Sequence, residues 1–118
     1  MKRKIITITD SGNVTVPSET KMSTLEIANL FGIYYQTAKR RIRAIEKSNI
    51  ASGDYSLTCT VDGKSIYPDY YGLEMVIALA FRVQSEKAKI FRRWVYRRAT
   101  HSSVHTVFTL STHGNVLN

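Results

Sequence analysis

Apolar and polar positions alternate in strand fashion from Lys4 to Thr9 and again from Val14 to Val16. Asp10-Ser11-Gly12-Asn13 between them is turn chemistry, so the pattern predicts an N-terminal β-hairpin. Pro17 ends its second strand, because it has no N–H for the ladder. From Ser23 to Lys47 the apolar spacing becomes helical. Ser23-x-x-Glu26 fits a capping box, and Leu25, Ala28, Leu30 and Phe31 give the first helix its apolar face. Gly32 falls where the chain must turn left-handed, which glycine does without Cβ strain. The second helix is expected over about Tyr35–Lys47, with Ala38, Ile42 and Ile45 as its buried stripe. Gln36, Lys39, Arg40, Arg43 and Lys47 then face outward.

Tyr55–Val61 and Lys64–Tyr67 are rich in β-branched and aromatic residues, with Asp62-Gly63 between them as a hairpin signal. A hairpin directly after two helices joined by a glycine turn is the arrangement of a winged helix, and it puts Lys64 near the wing tip. Pro68-Asp69 closes this hairpin and opens a helix over about Tyr71–Val83, whose apolar middle, Met75–Phe81, predicts the central core helix. Ser85 can cap a last helix over Glu86–Ala99, with Ala88, Phe91, Trp94 and Val95 on its apolar side. The expected fold class is therefore α+β. It is a winged helix-turn-helix-like domain over residues 1–99, with an N-terminal hairpin, a wing hairpin and two further helices. Residues 100–118 form an uncharged tail. The alternation Val104, Thr106, Phe108, Leu110 fits a strand, paired with the N-terminal hairpin or with a second subunit; disorder is the alternative.

Charge turns this scaffold into a candidate binder. The formal net charge is +8 and the pI about 9.8, a balance that selects polyanionic partners, nucleic acid first and acidic membrane surface second. Of 17 Lys and Arg, five lie in Lys39–Lys47 and six in Lys87–Arg98. Such clustering on two helical stretches favours a binding surface over general solubilisation. The single cysteine, Cys59, has no internal partner and alternates within a strand, so it reads as a small core residue in a reducing compartment. The cationic start MKRK is followed by an apolar run too short for a signal peptide, and Leu73–Val83 is about half of what spans a bilayer. A cytoplasmic protein without a membrane partner is expected.

If the second helix docks in a major groove, its N-terminal residues reach base edges: Tyr34, Tyr35, Gln36, Thr37, Lys39 and Arg40. Gln suits adenine, and Arg and Lys suit guanine, each good pair contributing roughly 1–3 kcal/mol of discrimination. Arg43, Lys47 and Lys64, with Arg92 and Arg93 on the last helix, are placed for phosphates, which position without reading sequence. Each assignment has a plainer alternative. The basic second helix can be the solvated face of a structural hairpin. At least one of Tyr34 and Tyr35 can pack under the helical hairpin. The last helix can be solvated, its cations partly packed by their aliphatic stems. His101, His105 and His113 have partial metal spacing but no Cys or carboxylate nearby in the tail. No nucleophile–base set, phosphate-binding Gly loop or paired carboxylate stands out, so no enzyme, cofactor, metal or small-molecule substrate is expected.

The stretch Tyr71-Gly72-Leu73-Glu74-Met75-Val76-Ile77-Ala78-Leu79-Ala80-Phe81-Arg82-Val83, followed by Phe91-Arg92-Arg93-Trp94, resembles the hallmark segment of the RhuM-type family, proteins named as virulence-associated. Leu30-Phe31-Gly32 and the helix after it are similar to that family's N-terminal segment. The resemblance covers roughly Ser23–Arg98. Ala88–Val95 (AKIFRRWV) also resembles the end of phage antirepressor Bro-N modules. These resemblances imply a small DNA-binding module of bacterial or mobile-element origin. They imply no catalytic residues. The expected function is sequence-specific binding of double-stranded DNA in transcriptional or mobile-element regulation, as a homodimer. The alternative is a protein-interaction module of antirepressor or antitoxin type.

Overall fold

The computed structural model describes residues 4–102. Among them are four helices and two separate two-stranded antiparallel sheets, an α+β arrangement. The first sheet is the N-terminal hairpin, β1 (Thr7–Ile8) and β2 (Val14–Thr15), with Thr7 opposite Thr15 and Ile8 opposite Val14. It is shorter than the alternation predicts. Ile6, just before β1, is buried in the core, while Ile8, Val14 and Val16 pack against its edge. The chain then crosses to α1 (Thr24–Phe31) and α2 (Tyr35–Lys47).

The junctions of these two helices form as their residues dictate. Ser23 caps α1 in a reciprocal box: its hydroxyl accepts from the Glu26 N–H, and the Glu26 carboxylate accepts from the Ser23 N–H at 2.8 Å. Gly32 ends α1 in the left-handed region at φ 66°, ψ 39°. The apolar face of α1 is Ile27, Ala28 and Phe31 rather than one that includes Leu25, which is 53% exposed. At 100° per residue Leu25 lies more than a quarter turn from the centre of that stripe. In α2 the buried stripe is Ala38, Ile42 and Ile45, as the spacing predicts.

The second hairpin, β3 (Cys59–Asp62) and β4 (Ser65–Pro68), pairs Asp62 with Ser65. The two-residue loop is therefore Gly63-Lys64, one position later than expected, with Gly63 at φ 67° as the first loop residue. Tyr55–Thr58 is not strand. The carboxylate of Asp54 accepts from the N–H and hydroxyl of Ser56, and this local turn takes the backbone out of extended geometry. Cys59 is exposed, against the core role its alternation suggests. Both faces of β3 meet solvent, so alternation there marks no buried side.

α3 (Leu73–Ala80) is shorter than Tyr71–Val83. Tyr71 is held in an antiparallel bridge with Met22, each N–H donating to the other's carbonyl, and Gly72 then serves as the N-cap. Met75, Val76, Ala78, Leu79 and Ala80 are buried, but Phe81 has left the helix and is 55% exposed. Carbonyls at the end of α3 and just after it are taken by arginines: Arg82 donates to Ala78 O, and Arg92 to Ala80 O and, beyond the helix, Val83 O.

α4 (Glu86–Ser102) outruns its expected end at Ala99. Ser85 caps it, its hydroxyl accepting from the Ala88 N–H. Phe91 is buried edge-on to Phe31 at 5.7 Å between centroids and stacks on Trp94 at 5.4 Å, which locks α4 against α1. Lys87 ties the start of α4 to the first hairpin through Ile8 O and Asp10. The strand proposed in the tail, with His105 and His113, lies outside the described residues. Among the described residues no helix is long and apolar enough to cross a membrane.

Candidate nucleic-acid interface

With Ala38, Ile42 and Ile45 buried, the 100° rotation per residue sets every other side chain on α2. Gln36, Arg40 and Lys47 stand on the crest opposite the core, and all three are exposed. Tyr35, Lys39 and Arg43, spaced by four, form the flank that faces the second hairpin. Thr37 and Arg41 lie on the other flank, Thr37 half-buried and Arg41 exposed. Among the described residues Arg40, Arg41 and Lys47 make no ion pair.

Tyr34 and Tyr35 sit at the start of α2, and neither packs beneath the turn. Tyr34 occupies the N-cap, gives no side-chain cap hydrogen bond and is 84% exposed. Tyr35 is 42% exposed, with the Lys39 ammonium 5.9 Å from its ring centroid. The first turn of α2 therefore presents two aromatic rings, an amide (Gln36) and a hydroxyl (Thr37), followed by Lys39 and Arg40. Donors and acceptors of these types read base edges.

Between α2 and the hairpin runs an open groove of about 890 Å³. Lys39, Arg43 and Tyr35 form one wall, Thr60, Asp62 and Tyr67 the other, and Ser23–Leu25 with Tyr70–Tyr71 close one end. Arg43 crosses the groove. Its guanidinium lies 3.7 Å from the centroid of the Tyr67 ring and donates to the Asp62 carboxylate at 3.1 Å. Lys64, at the hairpin tip, is exposed.

The base of the hairpin is fastened separately. The Glu46 carboxylate accepts from the Gly53 N–H at 3.1 Å and from the Tyr55 hydroxyl at 2.9 Å. Burial first, and then this carboxylate, push the Tyr55 phenol up from its ordinary range; the same order of causes raises Tyr71. Across the base, the hydroxyls of Thr60 and then Thr58 hold the Asp69 carboxyl below the usual aspartate range.

The fold thus gathers Tyr34, Tyr35, Gln36, Thr37, Lys39, Arg40, Arg43 and Lys47 on α2, with Lys64 on the neighbouring hairpin. It does not bring Arg92 and Arg93 to them. α4 packs on α3, α1 and the first hairpin, Arg92 is occupied with α3 carbonyls, and Arg93 faces solvent. The spacing of residues gave no signal for Asp62, Tyr67 and Glu46. Arg43 and Asp62 are 19 positions apart and meet only because the hairpin folds back along α2. No group of three or more His, Cys, Asp or Glu among the described residues has a geometry that would hold a metal ion. Comparison with protein-family models, with curated proteins and with solved structures finds no match to this chain, so the RhuM-type resemblance rests on the quoted residues alone.

Proposed function

We propose that the chain is a sequence-specific binder of double-stranded DNA, in which α2 enters a major groove and the β3–β4 hairpin lies beside it as a wing, serving transcriptional or mobile-element regulation. The observation that carries this reading is the crest of α2. Gln36, Arg40 and Lys47 are exposed on one line, opposite a fully buried stripe and beside a solvent-exposed hairpin tipped by Lys64. A helix about 12 Å across with such a crest fits the major groove, and a hairpin with Lys64 at its tip lies beside it, within reach of the flanking backbone. The two N-terminal tyrosines add faces for sugar or thymine-methyl contact.

Selection of bound sequences from a random duplex library tests the reading. The wild-type chain enriches a defined site, palindromic if it acts as a symmetric dimer. Arg40→Ala relaxes the preference at one position and weakens binding to the selected site by about 1–3 kcal/mol. Lys64→Ala weakens all sequences alike and makes the log–log salt slope shallower by about 0.9. A library that emerges unenriched contradicts sequence-specific binding.

A second reading, a protein-interaction module of antirepressor or antitoxin type, draws support from the other face of the same hairpin. Val61 and Ile66 are a cross-strand pair, 69% and 58% exposed. Under that reading Val61→Thr with Ile66→Thr abolishes partner binding, and duplex DNA is bound without regard to sequence.

A further inference from the structure

We propose that Arg43 is a positioning residue: it fixes the angle between α2 and the β3–β4 hairpin and does not itself contact the nucleic acid. The inference rests on the reading of α2 and the hairpin as one interface, and it separates Arg43 from the other cations of α2.

The hairpin has little to hold it. Its ladder fixes the two strands against each other but not against the body. Six of its eight strand residues are exposed, Tyr67 is half-buried and only Pro68 is buried. An isolated two-stranded hairpin is marginal in water, so its attitude depends on side chains that reach it from elsewhere. Two residues of α2, three apart on the same flank, do so. Glu46 holds the base, through the Gly53 N–H and the Tyr55 hydroxyl. Arg43 holds the upper end. Its guanidinium face lies on Tyr67 of β4, and one N–H edge is on Asp62, the last residue of β3 before the Gly63-Lys64 loop.

The geometry of Arg43 uses what distinguishes arginine from lysine, a planar group that stacks and donates from its edge at once. Its charge is matched by Asp62, and its rotamer is fixed between two strands. To reach a phosphate it would have to leave both partners and leave the already exposed Asp62 carboxylate without its countercharge beside the DNA. Lys39, Arg40 and Lys47 carry no such restraint from the hairpin.

The test uses Arg43→Lys, Arg43→Ala and Asp62→Ala in the full chain, read in two ways. In the free protein, 15N relaxation of the Gly63, Lys64 and Ser65 amides reports the hairpin. Order parameters typical of rigid backbone, about 0.85, are expected to fall below about 0.6 in all three variants while the α2 amides stay unchanged. With duplex DNA, Arg43→Lys is expected to bind roughly threefold to tenfold more weakly, as Arg43→Ala does, with the salt slope of the wild type kept. The Arg43→Ala, Asp62→Ala double variant is expected to be no weaker than the weaker single one. A rigid hairpin in Arg43→Lys, with wild-type affinity retained and a slope shallower by about 0.9 only in Arg43→Ala, would overturn the proposal and make Arg43 a phosphate contact. If Arg43→Ala fails to fold, Arg43→Lys and Asp62→Ala carry both readouts. If the wild type binds no duplex, the relaxation data still decide what Arg43 does to the hairpin, and only the DNA reading fails.

Discussion

Gly53 sits where three segments meet. Its N–H donates to Glu46 of α2, and the space a Cβ would need is occupied by the ring atoms of Pro68 and by Tyr71. Neither neighbour can give easily: the proline ring is rigid and closes β4, and Tyr71 is 3% exposed and bridged to Met22. Gly53→Ala therefore overpacks the hairpin base. A loss of about 1–3 kcal/mol in urea unfolding is expected, and an unchanged midpoint would contradict the packing described. Asp69 gives a second residue-scale prediction. The Thr60 hydroxyl, then that of Thr58, lower its pKa from the ordinary 3.8 in the folded state. A depressed folded pKa means that the folded state favours the carboxylate. Its stabilisation is present above the unfolded value and is lost as pH falls through the folded one. A 13C-carboxyl NMR titration should find the Asp69 midpoint below 3.8 in the wild type and higher in Thr60→Ala; equal midpoints would contradict the assignment.

At the scale of elements, the sequence was most legible where local chemistry and period agreed. The capping box at Ser23, the left-handed Gly32 and the Ala38–Ile42–Ile45 stripe are each decided within one or two turns of chain, and each is found in the structure. Legibility failed where distant contacts override local pattern. Cys59 reads as a core position but sits in β3, whose four residues are all exposed, and Tyr55–Thr58 reads as strand but is turned by the Asp54–Ser56 contacts. Tyr71 reads as helix but is taken by Met22, a residue 49 positions earlier. Phe81 reads as core but lies past the last turn of α3. The residues of the candidate site on α2 were visible from helical spacing; Asp62, Tyr67 and Glu46, which fix the hairpin, were not, because nothing local ties them to Arg43. These different sources of order predict different costs. Ser23→Ala removes a cap and should cost about 1 kcal/mol. Ile42→Ala, in a side chain 1% exposed between α1 and α3, should cost about 2–5 kcal/mol. Thermal unfolding of the two variants side by side checks the order, which reverses only if α1 and α2 are held by their ends rather than by their core.

For the whole molecule, the division of charge is the organising fact. The core among the described residues contains no buried polar or charged residue, so the cations described in the structure lie at or near the surface. There it separates by task. Arg82 and Arg92 close the end of α3, Lys87 ties the first hairpin to α4, and Arg43 spans the groove. Arg40, Arg41, Lys47 and Lys64 remain on the α2 and hairpin side, exposed and with no ion pair among the described residues. A duplex polyanion is the partner proposed for this side. The most direct test is fluorescence anisotropy of the wild-type chain with a labelled random duplex, titrated at several salt concentrations from about 50 to 200 mM. Binding is expected to be detectable at the low end and to weaken with a log–log slope of about −0.9 for each phosphate contact, several contacts in all. No detectable binding at the lowest salt, or an affinity indifferent to salt, would contradict the account.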